Sequence, residues 1–165
     1  MIPGPYEPAE MRRFLDTFLY AEEAFMVDEV TRLDADERVV EGRMDTLREL
    51  PVSEYQRPSD QHPAHVSAAD LLQATGSLGC LHAWFFHGCR WDEGWVGFGN
   101  RIHRADFKQI AHRGPHLDLV SRETKTRVGT SRIVLRYEFE FFQEGRQVYF
   151  GDQTAMFFRG PAPSI

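Results

Sequence analysis

Between Pro8 and Ala24 the apolar residues Met11, Phe14, Leu15, Phe18 and Leu19 recur at i, i+3, i+4, i+7 and i+8, which predicts an amphipathic helix over that span. Two short strands are expected next, Phe25–Leu33 and Arg38–Met44, joined by the polar turn Asp34–Glu37. Residues 51–66 hold three prolines and many polar groups and read as an irregular loop. Residues 67–87, SAADLLQATGSLGCLHAWFFH, are apolar nearly all round. Such a helix has no solvent face of its own and has to be buried.

Four strands follow. Trp95–Phe107 carries Gly97 and Gly99, which mark a bulge or a close backbone approach. Leu117–Arg127 is more polar. In Ile133–Phe142 the residues Ile133, Leu135, Tyr137, Phe139 and Phe141 take one face, while Arg136, Glu138 and Glu140 take the other. Gln143–Arg146 predicts a hairpin turn into a return strand over Gln147–Phe158. The Pro-rich residues 1–8 read as an arm, residues 9–159 as one domain, and residues 160–165 as a frayed tail.

This order is helix, two strands, one long buried helix, then a run of antiparallel strands. A lone apolar helix must be covered on most sides, and a curled antiparallel sheet does so. The expected class is therefore α+β with a hotdog architecture, a curved sheet wrapped around a central helix. Two such sheets side by side would form a homodimer or a higher homo-oligomer.

Composition narrows the function classes. At 165 residues, with 42% hydrophobic and 27% charged residues, the chain can bury a core without disulfides. A net charge of −6 and the absence of any basic run longer than a pair argue against nucleic acid. Cys80 and Cys89 form no C-x-x-C pair, which suits a reducing compartment and argues against a cysteine zinc site. No apolar run reaches membrane-spanning length, and a cytoplasmic protein is expected.

Phe25–Val30 (FMVDEV) followed by Arg38–Arg43 (RVVEGR) resembles the opening of the β-hydroxyacyl-acyl-carrier-protein dehydratases. Gly145–Phe158 resembles the last hairpin of the FabA-type and polyunsaturated-fatty-acid-synthase dehydratase domains, and Gly79–Trp84 the end of their central helix. That family carries a His in an H-F-P-x-x-P-x-x-P-G loop and an Asp or Glu on the central helix. Laid without gaps from the second strand, the family His falls on Tyr55 and the acid on Ala69, while Gln73 meets a family Gln and Pro63 a family Pro. No register restores the pair. A second likeness is to the FcoT-type acyl-CoA thioesterases, matched in type at His65, Ala68, Asp70 and Leu71. Both resemblances imply a hotdog fold, no cofactor beyond the substrate's own phosphopantetheine arm, and a thioester of coenzyme A or an acyl carrier protein as partner. They differ on the reaction. The first expectation is a dehydratase-like lyase acting on 3-hydroxyacyl thioesters with a non-standard site. The alternatives are a thioesterase or, with the family pair lost, a non-catalytic acyl-binding protein.

The residues themselves supply candidates. Asp70, Gln73 and Ser77 share one helix face, and polar groups on a buried helix need partners or a wet pocket. Asp70 follows the natural cap Ser67 by three residues, so a capping role stands beside a catalytic one. His62 and His65 are either solvated loop residues or general bases. His65 is the one that the FcoT likeness favours. With Tyr55 as a donor to a thioester carbonyl, these make the candidate catalytic set His65, Asp70, His62 and Tyr55. Gln73, Ser77, Asn100 and Arg101 are the candidate substrate-binding set. His62 and His65 have no persuasive third metal ligand, so no metal is expected. The aromatic residues Trp84, Phe85, Phe86, Trp95 and Phe98 read equally as core or as tunnel wall.

Overall fold

The computed structural model describes residues 2–160. Of the predicted tail, 160–165, residues 161–165 lie outside them. Helix α1 spans Pro8–Asp16, shorter than its apolar spacing predicts. Thr17 ends it, because its N–H and its hydroxyl both donate to Arg13 O. Phe18 still packs on the core from the turn that follows, with its ring against Phe14 and Phe25. The apolar spacing thus reported burial beyond the point where the helix stops.

Six strands form one antiparallel sheet. They are β1 (Glu29–Asp34), β2 (Val39–Met44), β3 (Trp95–Phe107), β4 (Leu117–Val128), β5 (Arg132–Gln143) and β6 (Arg146–Arg159). Their order across the sheet is β1-β2-β4-β5-β6-β3. β1 begins four residues later than the sequence suggests, since Met26 N–H donates to Ser77 Oγ on the central helix at 3.0 Å. The β5–β6 hairpin turns through Glu144 and Gly145, both with positive φ, as a two-residue primed turn requires. The inner face of β5 is the predicted one, with Ile133, Leu135, Tyr137, Phe139 and Phe141 buried.

Helix α2 (Ala68–His87) lies against the concave face of this curved sheet. Its far side is covered by α1, where Phe14 meets Trp84 edge-on with ring centroids 5.4 Å apart. Gly88, in the left-handed region, closes its C-terminus. Among the described residues no helix is long and apolar enough to cross a membrane.

Two buried polar clusters fix where α2 sits. At its N-terminus the Asp70 carboxylate, 1% exposed, accepts from Val52 N, Ser53 N, Ser53 Oγ and Ser67 Oγ at 2.5 to 3.1 Å. Ser67 Oγ in turn accepts from Asp70 N, and Ser53 Oγ from Ser67 N. The cap therefore also staples the 50–67 loop to the helix. Toward its C-terminus His82 and Ser121 are joined at 2.9 Å, and His87 and Glu123 at 2.7 Å. Burial pushes the His82 imidazole down to about 4, against the pull of the nearby Glu123 carboxylate. Burial would raise Glu123, but bonds from His87 and Thr126 hold it below the usual glutamate range.

Two outcomes follow for stability. Asp70→Ala strands four donors, three of them buried, and should lower the unfolding free energy by roughly 3 kcal/mol, read by urea denaturation. An unchanged midpoint would contradict the staple. His82, neutral when folded, protonates first in the unfolded chain. Its contribution is complete above about 6.5 and is lost as pH falls toward about 4, by roughly 3 kcal/mol. Denaturation at several pH values should show this loss, and His82→Gln should remove most of it.

Candidate functional site

A cavity of about 410 Å³ lies between α2 and the β5–β6–β3 end of the sheet. The helix wall is Leu72, Gln73, Thr75, Gly76, Gly79 and Cys80. The sheet wall includes Tyr137, Phe139, Gln153, Ala155 and Phe157, and the turn after α1 adds Phe18 and Tyr20. Glycine creates the space. A Cβ built at Gly76 or at Gly99 meets nothing within 4 Å, so both positions face open room. Gly97 serves a different need, since a Cβ there would lie 2.6 Å from the Phe157 ring across the β3–β6 pair. The predicted irregularity of this strand is a register shift between Gly99 and Arg101.

The chemistry of the lining is narrow. Among the described residues that line the cavity none is Asp, Glu or His. Burial pushes the Cys80 thiol up to about 12, so it is no thiolate nucleophile at neutral pH. Burial also raises the Tyr137 hydroxyl, whose proton goes to Gly79 O at 3.2 Å. Hydrogen-bonding amides and hydroxyls remain, those of Gln73, Thr75, Asn100, Gln153 and Thr154, with the Arg101 cation. The cavity can bind and orient an apolar ligand with a few polar atoms, but its described lining residues include no proton acceptor suited to neutral pH.

Gln73, Asn100 and Arg101 of the candidate binding set line the cavity. Gln73 Nε2 donates to Ala24 O at 3.1 Å, which leaves its Oε1 free. Ser77 is buried away from it, accepting from Met26 N and donating to Gln73 O. The candidate catalytic set lies elsewhere. Asp70 is occupied as the staple. Tyr55 is 86% exposed on the loop before α2. His62 is exposed, with its ring 5.0 Å from that of His65. His65 lines a separate depression of about 350 Å³ with Leu71, Phe107 and Ile110, its Nδ1 2.8 Å from Pro63 O. Among the described residues no group of three or more His, Cys, Asp or Glu is placed to hold a metal ion.

Thr75 and Gln153 were not singled out by sequence reasoning. Thr75 lies between Gln73 and Ser77 in the chain but a half-turn from each, off the polar stripe, and Gln153 sits in a strand read only for its hairpin. Trp84 and Phe85 pack in the core with α1 and the N-terminal segment, and Phe98 alone of the predicted tunnel aromatics borders the cavity.

No protein-family model and no curated protein matches the chain. Solved structures do. A thioesterase from Haemophilus influenzae superposes with a TM-score of 0.56 at 11% identity, covering 90% of each chain. The dehydratase heterocomplex ApeI:P from Xenorhabdus doucetiae gives 0.60 at 14% identity, over 95% of this chain and 93% of that one. A hypothetical thioesterase with coenzyme A from Streptococcus pneumoniae gives 0.52 at 14% identity, over 82% and 88%. With these proteins the chain shares its curved six-stranded sheet and single enclosed helix, and its fold is the hotdog fold.

Proposed function

We propose that the protein binds acyl thioesters of coenzyme A or of an acyl carrier protein, with the acyl chain in the cavity between α2 and β3. The observation that carries this reading is the cavity itself. It has an apolar interior of about 410 Å³ and a rim carrying Gln73, Asn100 and Arg101. Apolar pockets with a few placed polar groups are the usual form of a small-molecule site. Arg101 at the rim suits the phosphate of a phosphopantetheine arm. The likeness to thioesterases, one of them seen with coenzyme A, supports the same ligand class.

A second reading is turnover by a pair of chains, as a dehydratase-like lyase or a thioesterase of fatty-acid or polyketide-type metabolism. The observation favouring it is that the cavity opens at β3, the strand that ends the sheet. β3 presents a 13-residue edge with exposed Phe98, Ile102 and Phe107, and such an edge invites strand pairing. A second copy paired there would extend the sheet and bring new side chains to the cavity mouth. Removal of an α-proton needs a base, and hydrolysis needs an activated water, so either reaction must draw its proton acceptor from outside this lining. The likeness to the dehydratase heterocomplex supports the lyase form, and the likeness to thioesterases the hydrolytic one.

Three measurements test these readings. Incubation with saturated and 3-hydroxyacyl thioesters, followed by mass spectrometry, separates enoyl product, free acid with free thiol, and binding without turnover. Gly76→Leu fills the cavity from the helix while replacing a poor helix former, a change worth up to about 1 kcal/mol in favour of the helix. The variant should melt no lower than wild type yet bind long-chain acyl-CoA at least about tenfold more weakly by calorimetry. Tight binding by that variant would place the acyl chain elsewhere. Light scattering should give twice the chain mass, and Ile102→Asp should return the protein to a monomer.

A further inference from the structure

One polar group stands in the middle of the cavity's apolar sheet wall. Gln153 faces the helix from β6, directly across from Tyr137 on β5 and Ile102 on β3. Along the inner face of β6 its neighbours are Ala155 and Phe157 on one side and Gly151 and Tyr149 on the other. The side chain is held from two directions. Its Nε2 lies 2.9 Å from the buried Tyr149 hydroxyl, and its Oε1 lies 3.1 Å from Thr75 Oγ1 on α2. Thr75 Oγ1 also lies 2.7 Å from Leu72 O, and its single proton serves either that carbonyl or, with the amide as placed, Gln153 Oε1. Gly151 makes this brace possible. The Tyr149 ring folds over residue 151 to reach Gln153, and a Cβ there would overlap the phenol.

Counting donors shows what the brace leaves over. The amide of Gln153 has two N–H groups, and only one finds a protein partner, the Tyr149 hydroxyl. The count is the same with the amide turned over, when one N–H meets Thr75 Oγ1 and Oε1 accepts from Tyr149. Either way one N–H on a fixed, half-buried side chain lines the cavity without a protein acceptor. Water can satisfy that N–H while the cavity is open, so a ligand that displaces the water has to bring an acceptor in its place.

We propose that Gln153, braced by Tyr149 and Thr75, donates this hydrogen bond to the carbonyl oxygen of the bound acyl thioester. The assignment rests on the acyl-binding reading above. The carbonyl is the one acceptor that every acyl thioester carries at its acyl end. Gln153 is thus a binding residue and Tyr149 a positioning residue. An amide held on two sides orients the carbonyl at little further entropic cost.

The test compares an acyl-CoA with the S-alkyl-CoA thioether of equal chain length, which lacks only the carbonyl oxygen. Calorimetry on the wild-type protein should favour the thioester by about five- to tenfold, the worth of one such bond. Gln153→Leu should bring that ratio to about one by loosening the thioester alone. Gln153→Met, closer in shape, should do the same and serves if the leucine variant melts early. Tyr149→Phe should lower the ratio part of the way while leaving thioether affinity unchanged. A wild-type ratio near one, or a ratio that survives in the Gln153 variants, overturns the assignment and leaves the acyl-binding reading standing. If the wild-type protein binds neither ligand, that reading fails and takes the assignment with it.

Discussion

Enclosing α2 is the constraint on which the rest of the structure depends. The helix is twenty residues long with one carboxylate in its length, and it cannot face water over any large part of its surface. A single sheet covers only one side of a helix, so α1 and the segment Phe25–Val27 cover others. The strip that stays open carries Gln73, Gly76 and Cys80, and glycine there removes the side chain that would otherwise close it. The cavity is therefore built into the composition of the helix. It is what remains when an apolar helix with a gap in its own surface is wrapped by a sheet that ends beside that gap.

Burial also sorts the polar groups of the interior. Asp70, Ser77, Ser121 and Glu123 all have their hydrogen-bonding atoms taken up by the fold. Each ties α2 to a loop, to an entering strand or to the sheet. Gln73 and Gln153 are different, because each spends part of its amide on the protein and keeps part facing the cavity. In an enclosure of low polarity such a remainder is a stronger pointer to a ligand than the mere presence of a histidine or a carboxylate nearby.

This explains how the sequence could show the fold while leaving the site open. Period-two alternation in Ile133–Phe142 and all-round apolarity in 67–87 follow directly from burial, so β5 and the central helix were legible almost to their ends, whereas the start of β1 was not. The end of α1 was less so, since Phe18 is apolar for packing from a turn and not from a helix. For the site, residue type is a weak guide. Asp70 has the same one-letter pattern whether it caps a helix or serves a reaction, and the choice depends on Val52 and Ser53 coming back from a distant loop to meet it. Thr75 and Gln153 lie 78 residues apart in the chain, and only the crossing of α2 over β6 makes them neighbours.

The step from binding to reaction turns on where a proton can go. Amides orient a thioester carbonyl but cannot accept a proton at neutral pH, and the thiol and phenol in the wall are held protonated by burial. A base placed inside this enclosure would itself be desolvated and would need a partner from the fold, as Glu123 needs His87 and Thr126. A group supplied at the mouth by a second chain, if one pairs along β3 as proposed, would escape that penalty, because it would stay near water. The free edge, the open cavity mouth and the lack of a base in the lining are then one arrangement. On the proposed reading the single chain would supply the acyl pocket and the carbonyl donor, and any chemistry would fall to the boundary that the sheet leaves unpaired.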